Sequence, residues 1–512
     1  MSIGFGLPNS SLSKWVKAKM KKLIVGLLIV MMGVLWGTAV PHTQAQDESL
    51  LWTVPRLLSS PGIFETSETE IISDPHGFLH IFWTETNPDD SVTSIQYATF
   101  DGVAWSEPND VYVSAPDIDI VTFAAALGDD GILHLVWSEG NTGPIFITHA
   151  PALEAYSARA WERPSSFGFP AYRMKMVIDS KNVLHIMFIN FYGKEPGVYY
   201  TRSEDMGETW LTTVWIDPDI PTYDTPNTIK FLIDDKDGLH ASWYYAATDL
   251  SSPLGEWVRY VHSLDGGVTW SSPFTVDRAD DTIDELRQPY PGLAVAGDTI
   301  HMMYAGNATT QREHRYSLDR GETWSETARV LGDLQGQALG DGFATDSLGR
   351  LHFFGQIRWP QGVYHAIWDP SDPAAGWTSP QMSYVISSSP IEGREGRYHA
   401  HSVRAGSING NILVVTFTDE ATGPLYAIWR KLDDVPEIEP VPMPTETPAP
   451  EATATPNIDV TPTPTALPFA GTDLAVPEAP PNAGLGIWLG VIPTLLFIGG
   501  VFGFRFYRMR NS

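Results

Sequence analysis

The chain has 512 residues, and its 61 acidic and 32 basic side chains give a formal net charge of -29. A charge of this sign repels the phosphate backbone, so we expect no nucleic-acid partner. The chain contains no cysteine, which excludes disulfides and thiol chemistry. Aromatic residues make up 12% of the chain and charged residues only 18%, a mixture that favours many short strands with aromatic packing.

The first 45 residues are predicted to be a secretory signal peptide. Five lysines lie between residues 14 and 22, an apolar run covers residues 23–36, and Thr-Gln-Ala at 43–45 supplies the small residues that signal peptidase reads. The alternative is a first transmembrane helix, for which the apolar run is short. Met20 is a second possible start.

Residues 46–434 repeat themselves with a period of 51 to 61 residues. Each copy has a turn, an aliphatic residue, a marker histidine and then an alternating apolar strand, as in GFLHIFW. The marker histidines are His80, His134, His185, His240, His301 and His352, and Leu413 takes the position in a seventh copy. Because these histidines fall in different repeats, they cannot meet at one metal ion. We expect them to be structural, and we expect neither a metal nor another cofactor.

A second marker, S-x-D-x-G-x-T-W, follows three of the histidine strands. Its aspartate can accept backbone N–H bonds, its glycine permits a positive φ, and its tryptophan can anchor the turn on a neighbouring strand. The matching residues are Asp205, Gly207 and Trp210, then Asp265, Gly267 and Trp270, then Asp319, Gly321 and Trp324. On these residues the chain resembles the Asp-box, or bacterial neuraminidase repeat, superfamily of sialidase-like proteins.

The repeats and the resemblance together predict an all-β fold, a β-propeller of four-stranded blades. Seven histidine-type markers indicate seven blades, whereas sialidases have six, and six is the alternative. The last repeat lacks its outer strand, and residues 51–56 (LWTVPR) look like the missing strand. We therefore expect the two ends of the repeat region to share one blade and close the ring.

Three further segments are predicted after the propeller. Residues 435–482 are rich in Pro, Thr, Ala and Glu and indicate a disordered, extended stalk. Residues 483–505 form an apolar stretch long enough for a transmembrane helix, and the basic tail at 506–512 places that end in the cytoplasm. The expected location is the cell membrane, with a single span and an extracellular propeller.

Ligands of propellers usually bind at one mouth of the central channel, which is lined by the loops that lead into the innermost strands. Polar residues break the repeat in these loops. They are Glu65, Glu68, Glu70, Asp117, Asp119, Tyr172, Arg173, Lys175, Tyr223, Asp224, Asp284, Glu285, Arg287, Asp341, Glu392, Arg394, Glu395, Arg397, Tyr398, His399, His401 and Arg404. We expect Arg173, Arg287, Arg397 and His399 to contact a ligand.

The sequence supports three functions. The preferred interpretation is a non-catalytic propeller that binds a glycan or a cell-surface protein at its mouth, because the motifs of sialidase enzymes are absent from the sequence. The resemblance also implies a sialidase-type hydrolase, in which an arginine cluster grips the substrate carboxylate. In that case Tyr398 with Glu285 would be the nucleophile pair and Asp119 the acid/base, assigned by residue type and loop position alone. The third function is a cell-envelope scaffold.

Overall fold

The structure is a computed structural model that describes most of the predicted repeat region. The described residues are 46–47, 51–61, 65–87, 89, 91–140, 143–168, 170–190, 196–218, 224–247, 257–278, 289–305, 311–332, 334, 337–358, 361–385, 401–418 and 423–443. The predicted signal peptide, membrane helix and cytoplasmic tail lie outside them. Within these ranges, no helix has both the length and the hydropathy of a membrane span.

Within the described residues, twenty-nine strands form seven sheets. Blade 1 contains β3 (Glu65–Ser73), β4 (Leu79–Asn87), β5 (Val92–Phe100) and β6 (Asn109–Val113). Blade 2 contains β7 (Ile120–Leu127), β8 (Ile132–Glu139), β9 (Ile145–Pro151) and β10 (Ser165–Phe167). Blade 3 contains β11 (Arg173–Ile178), β12 (Leu184–Asn190), β13 (Gly197–Ser203) and β14 (Val214–Trp215). Blade 4 contains β15 (Asp224–Ile233), β16 (Leu239–Ala247), β17 (Trp257–Ser263) and β18 (Phe274–Arg278).

The remaining strands complete three more blades. Blade 5 contains β19 (Gly292–Ala296), β20 (Thr299–Ala305), β21 (Arg312–Ser317) and β22 (Ala328–Arg329). Blade 6 contains β23 (Gln337–Thr345), β24 (Leu351–Arg358), β25 (Gln361–Trp368) and β26 (Gln381–Val385), with β1 (Gln46–Asp47) added in parallel to β26. Blade 7 contains β27 (His401–Ile408), β28 (Ile412–Thr418) and β29 (Leu425–Lys431), with β2 (Arg56–Leu57) as its outer strand. Two single-turn 3-10 helices, Ala152–Glu154 and Pro373–Ala375, lie in loops.

The seven sheets stand in a closed ring. The first strand of each blade contacts the first strand of the next, from β3 through β7, β11, β15, β19, β23 and β27 and back to β3. The structure therefore confirms a seven-bladed β-propeller, and the six-bladed alternative is wrong. These seven first strands are called the inner strands below.

The ring closes through both ends of the repeat region, as predicted. Strand β2 pairs antiparallel with β29, and Leu57 lies opposite Tyr426. Upstream of β2, the backbone N–H of Thr53 donates to the carbonyl of Trp429 at 3.1 Å. Trp52 is buried and meets Phe354 of blade 6 edge to face, with ring centroids 5.6 Å apart. The orphan strand thus supplies both hydrogen bonds and apolar contact at the closure.

The core lies between the blades. One cluster joins Met187 and Tyr200 of blade 3 to Phe231 and Trp243 of blade 4, and similar clusters fill the other interfaces. Burying apolar surface of this kind contributes about 25 cal/mol per Å². A single blade has no partner for this surface, so the blades are stable only as a ring.

The marker histidines are buried structural residues. His80 Nδ1 lies 2.7 Å from the Tyr97 hydroxyl of its own blade, and its Nε2 lies 3.0 Å from Asp74 in the turn before it. His240 repeats the arrangement with a tyrosine hydroxyl at 2.7 Å and an aspartate at 3.1 Å. In blades 1 and 4 the histidine thus joins the inner hairpin turn to the third strand of its own blade.

The S-x-D-x-G-x-T-W turns join one blade to the previous one. The Asp265 carboxylate accepts the Thr269 N–H at 2.9 Å and closes the turn. Gly267 has a φ of +77°, and a Cβ placed there would lie 1.8 Å from the Tyr200 hydroxyl of blade 3. Trp270 packs edge-on against the same tyrosine, with centroids 4.9 Å apart. Glycine is therefore required both by the backbone and by the close approach of the blades.

The chain stays in contact with the propeller beyond the predicted boundary at residue 434. Residues 435–443, called the strap, cross the hairpin turns that join the first and second strands of blades 6, 7 and 1. Ile438 N–H donates to the Asn409 carbonyl at 2.8 Å, and Val441 N–H donates to the Pro75 carbonyl at 2.9 Å. These turns form one face of the propeller, called the turn face. The described start of the predicted stalk is therefore ordered on the turn face and bridges the closing blades.

Candidate functional site

The mouth of the channel lies at the end opposite the turn face, where the inner strands begin. Most loops that lead into these strands lie outside the described residues, and so do five predicted site residues. These are Glu285, Arg287, Arg397, Tyr398 and His399. The structure describes the other two, Asp119 and Arg173.

Asp119 is exposed on the turn before β7, and its carbonyl accepts the Gly140 N–H at 2.9 Å. Arg173 begins β11 and is half-buried beside the channel, with its guanidinium 4.5 Å from the centre of the Tyr172 ring. Of the two, only Arg173 belongs to a charged network.

A cavity of about 500 Å³ occupies the channel and is lined by residues from all seven inner strands. Its charged lining residues are Glu70, Lys175, Lys230, Asp341 and Arg404. Its size falls within the range of small-molecule binding sites. The cavity and the charges around it are the candidate functional site.

Strand register explains why three of these five charges share one level of the channel. Glu70, Lys175 and Lys230 each pair with the residue two positions after the marker histidine on the second strand. The same register position holds alanine or glycine in the other blades, namely Ala124, Gly292, Gly342 and Ala405. Blades 1, 3 and 4 therefore project long charged side chains at a level where the others have small residues.

The inner strands are irregular close to the level of the channel that holds these charges. Five inner strands, β3, β7, β15, β23 and β27, have a register shift near their mouth end. Bulges of this kind redirect side chains and are frequent next to functional sites. Thr228, within the β15 bulge, has a φ of +47°, and Tyr290, before β19, has a φ of +37°. Positive φ is costly for both residue types, so tertiary contacts hold the mouth end of these blades in place.

Glu68 organises one side of the channel. Its carboxylate accepts the Phe123 N–H at 3.1 Å and the Thr122 hydroxyl at 3.1 Å, and Arg173 Nη1 approaches it to 3.5 Å. One level deeper, Glu70 forms an ion pair with Lys175. Both pairs run from blade 1 to blade 3 across blade 2. The small side chain of Ala124 leaves room for the deeper one.

Asp341 and Arg312 organise the opposite side. The Arg312 guanidinium donates to Asp341, to the Tyr290 carbonyl at 2.8 Å and to the Pro289 carbonyl at 3.0 Å. A Cβ on Gly292 would lie 2.5 Å from the Asp341 carboxylate, so glycine allows this approach. Asp341 is 7% exposed, and its Oδ1 has no hydrogen-bond partner in the described part of the chain.

Lys230 differs from the other cations of the cavity. In the described ranges its amine has no ion pair and no hydrogen bond, although the side chain retains some access to solvent in the cavity. Enclosure by protein, followed by the charges of Arg404 and Lys175, lowers its pKa to about 7. Glu70 and Asp341 act in the opposite direction and do not compensate.

Lys175, Asp341 and Arg404 are among the predicted mouth residues but have no predicted role, and Lys230 and Arg312 are absent from the prediction. A usable signal was present. Glu70, Lys175 and Lys230 each stand ten residues before a marker histidine, so aligning the repeats on the histidine brings the three charges to one position. Arg312 carries no such signal, because it reaches the channel from a third strand.

No protein-family model and no curated protein matches the sequence. Among solved structures, the chain is similar to a protein of unknown function from Dyadobacter fermentans, with 14% identity, a TM-score of 0.44, and 74% of this chain and 98% of that chain covered. It is similar to the intramolecular trans-sialidase of Ruminococcus gnavus, with 11% identity, a TM-score of 0.40, and coverage of 78% and 98%. It is also similar to the polysaccharide lyase Uly1, with 10% identity, a TM-score of 0.48, and coverage of 77% and 96%.

These likenesses concern the propeller fold alone. The class that fold and topology define is a seven-bladed β-propeller whose last blade is completed by a strand from the start of the repeats. Similar solved structures include sialidases and a polysaccharide lyase, and no residue role is transferred from them. No group of three or more metal-ligating side chains occurs in the part of the chain that the structure describes.

Proposed function

We propose that the protein is a membrane-anchored extracellular propeller that binds an acidic glycan at its channel mouth. The channel cluster carries this proposal. It comprises five basic side chains against three acidic ones, in a chain with a net charge of -29. Its members are Arg173, Lys175, Lys230, Arg312, Arg404, Glu68, Glu70 and Asp341.

Each acidic side chain of the cluster is already paired within the protein. The remaining basic side chains can therefore interact with an anionic ligand. Glu70 is paired with Lys175, Asp341 with Arg312, and Glu68 accepts two hydrogen bonds as well as Arg173. Lys230 and Arg404 face the same cavity without an acidic partner in the described ranges. A carboxylate entering this enclosed space would interact with both cations at low dielectric, where ion pairing is stronger than in water.

The position of the strap supports an accessible mouth. The strap lies on the turn face, and the mouth lies at the other end of the channel. The described residues of the strap therefore do not cover the mouth. The apolar stretch at 483–505 and the signal-like N-terminus support the proposed anchoring and export.

Calorimetry on the full-length protein in detergent tests the proposal. The probes are 3′-sialyllactose and galacturonate oligomers, with lactose as the uncharged control. We expect binding of one or both acidic probes that weakens with added salt and is absent for lactose. Equal affinity for lactose and 3′-sialyllactose would overturn an acidic-glycan site.

The same preparation tests hydrolysis with a fluorogenic sialoside. Turnover that is lost in Tyr398→Phe and retained in Tyr172→Phe would identify a hydrolase and replace the binding function. Binding without turnover supports the proposed function. The matched tyrosine variants separate a chemical role from a general effect on the mouth.

A further inference from the structure

We propose that Lys230 forms a reversible imine with an anionic carbonyl compound of the 2-oxo carboxylate class inside the channel. Recognition of the carboxylate rests on the proposed function, because the same cations would bind it. The covalent step is an additional property of one side chain. Open-chain forms of acidic keto sugars belong to this chemical class.

The geometry singles out Lys230 among the lysines near the channel. Lys175 occupies the same register position one blade away, but its amine is held by Glu70. In the described ranges Lys230 has no such partner, and its side chain lines the cavity of about 500 Å³. Among the described residues, no ion pair has to break for a ligand to reach its amine.

The surrounding charges favour the neutral, nucleophilic amine. Enclosure by protein disfavours the charged amine, and Arg404 on β27 and Lys175 on β11 disfavour a third positive charge, so that the pKa of Lys230 is lowered to about 7. An ordinary lysine with a pKa near 10.4 has a neutral fraction at pH 7 that is roughly a thousandfold smaller. Lowering a lysine pKa by burial and a neighbouring cation is an established way to activate it towards carbonyl compounds.

The same cations would orient the ligand. Arg404 lines the cavity with Lys230, so a ligand carboxylate beside Arg404 brings an adjacent carbonyl carbon towards the amine. The cavity is of a size that holds small molecules. A simple aldehyde or ketone lacks the carboxylate and gains none of this orientation.

The chemistry balances with groups present in the cavity. The neutral amine attacks the carbonyl carbon and a C–N bond forms; the nitrogen then loses one proton and the carbonyl oxygen gains one, which gives a carbinolamine. The hydroxyl group takes up one further proton, supplied by solvent, the C–O bond breaks, water leaves, and a protonated imine remains. Asp341, whose buried Oδ1 has no partner in the described ranges, and Glu70 are the carboxylates placed to relay these protons. No oxidant or reductant is consumed.

Borohydride trapping of the full-length protein with pyruvate tests the inference. Pyruvate is the probe because it is a small 2-oxo carboxylate, and acetone is the probe without a carboxylate. After reduction at pH 7, peptide mapping by mass spectrometry should place one N-(1-carboxyethyl) adduct, the reduced imine, on Lys230, at least about tenfold above any other lysine. Lys230→Arg should lose this adduct, whereas Lys181→Arg, on an exposed turn, should keep it.

Two outcomes overturn the inference. One is an adduct spread evenly over the surface lysines, and the other is an unchanged yield in Lys230→Arg. Thermal melting of the Lys230→Arg and Lys230→Met proteins checks that both are folded. Binding of 3′-sialyllactose by the unmodified protein separates the two proposals. In that protein, glycan binding without trapping contradicts the imine alone, and absence of both contradicts the acidic-glycan site as well.

Discussion

Two layers of the propeller differ in whether equivalent positions hold the same residue type from blade to blade. In the histidine layer, nearly every blade carries the same buried imidazole, bonded within its own blade in blades 1, 4 and 6. In the channel layer, equivalent positions hold a glutamate, two lysines, alanines and glycines. Side chains that repeat build the blades. Side chains that break the repeat face one shared cavity, where ligand chemistry becomes possible.

Within the histidine layer, the hydrogen-bond partner of the histidine in blade 5 differs from that in blades 1, 4 and 6. In blades 1, 4 and 6 an aspartate lies beside the histidine, within 3.2 Å in each case. In blade 5 the partner of His301 is His314, at 3.0 Å, and the Trp377 indole donates to the other nitrogen of His314 at 3.0 Å. An indole N–H only donates, so this pair is held in one neutral tautomeric arrangement.

The largest effect should come from the repeated layer, through Gly267→Ala. The new methyl group would meet the Tyr200 hydroxyl, which lies 2.7 Å from His185, and the φ of +77° disfavours alanine. We expect a loss of about 4 kcal/mol in unfolding free energy, measured by urea denaturation. Gly266→Ala is the matched control, because its Cβ meets nothing within 4 Å, and strain alone should cost about 1 kcal/mol. Equal losses in the two variants would contradict the close packing of blades 3 and 4.

Acid should destabilise the same layer. Burial lowers the pKa of His314 to about 3 and that of His134 to about 4, and it lowers the pKa of His301 well below its usual range. Because the folded pKa values lie below the unfolded value of about 6.5, this stability is complete above pH 6.5 and is lost as the pH falls. Between pH 7.5 and 5.5 we expect a loss of about 1.4 kcal/mol for each histidine, or about 4 kcal/mol for the three together.

Urea denaturation at a series of pH values measures this loss. His314→Gln removes one titrating group and should make the dependence shallower by about one proton. An unfolding free energy that stays constant from pH 7.5 to 5.5 would show that these imidazoles are not held neutral.

The channel layer should affect binding more than folding. Lys230→Met removes a cation that has no ion pair in the described ranges, and we expect it to weaken binding of 3′-sialyllactose about tenfold, or about 1.4 kcal/mol. Calorimetry measures the affinity, and thermal melting should show little change. Lys181→Met, on the exposed turn of blade 3, should leave the affinity as it was. The same loss in both variants would mean a diffuse charge effect instead of a site.

The smallest effect should come from the strap. Ile438→Pro removes the N–H that donates to the Asn409 carbonyl at 2.8 Å, and we expect a loss of about 1 kcal/mol in unfolding free energy. Glu439→Pro changes the next residue, whose N–H makes no backbone hydrogen bond in the described ranges, and should cost less. If both variants denature like the parent protein, the strap does not contribute to ring closure.

The sequence by itself determined the blades and how they close. The six marker histidines and Leu413 counted them, and the tryptophan segment at residues 51–56 identified the strand that completes the last blade. These features could be predicted because each repeat records its own strands and turns within about 60 residues of chain. Local hydrogen bonds and hydrophobic alternation decide such features, and both can be read along the chain.

Only the tertiary structure decided the channel cluster. Glu70 and Lys175 are 105 residues apart and meet because blades 1 and 3 flank a blade with a small residue at that level. Lys230 faces the cavity in a strand shifted by a bulge, and Arg312 arrives from a third strand to hold Asp341. Closure of the ring and the register of its inner strands set these distances. Neither feature can be read from the sequence of a single repeat.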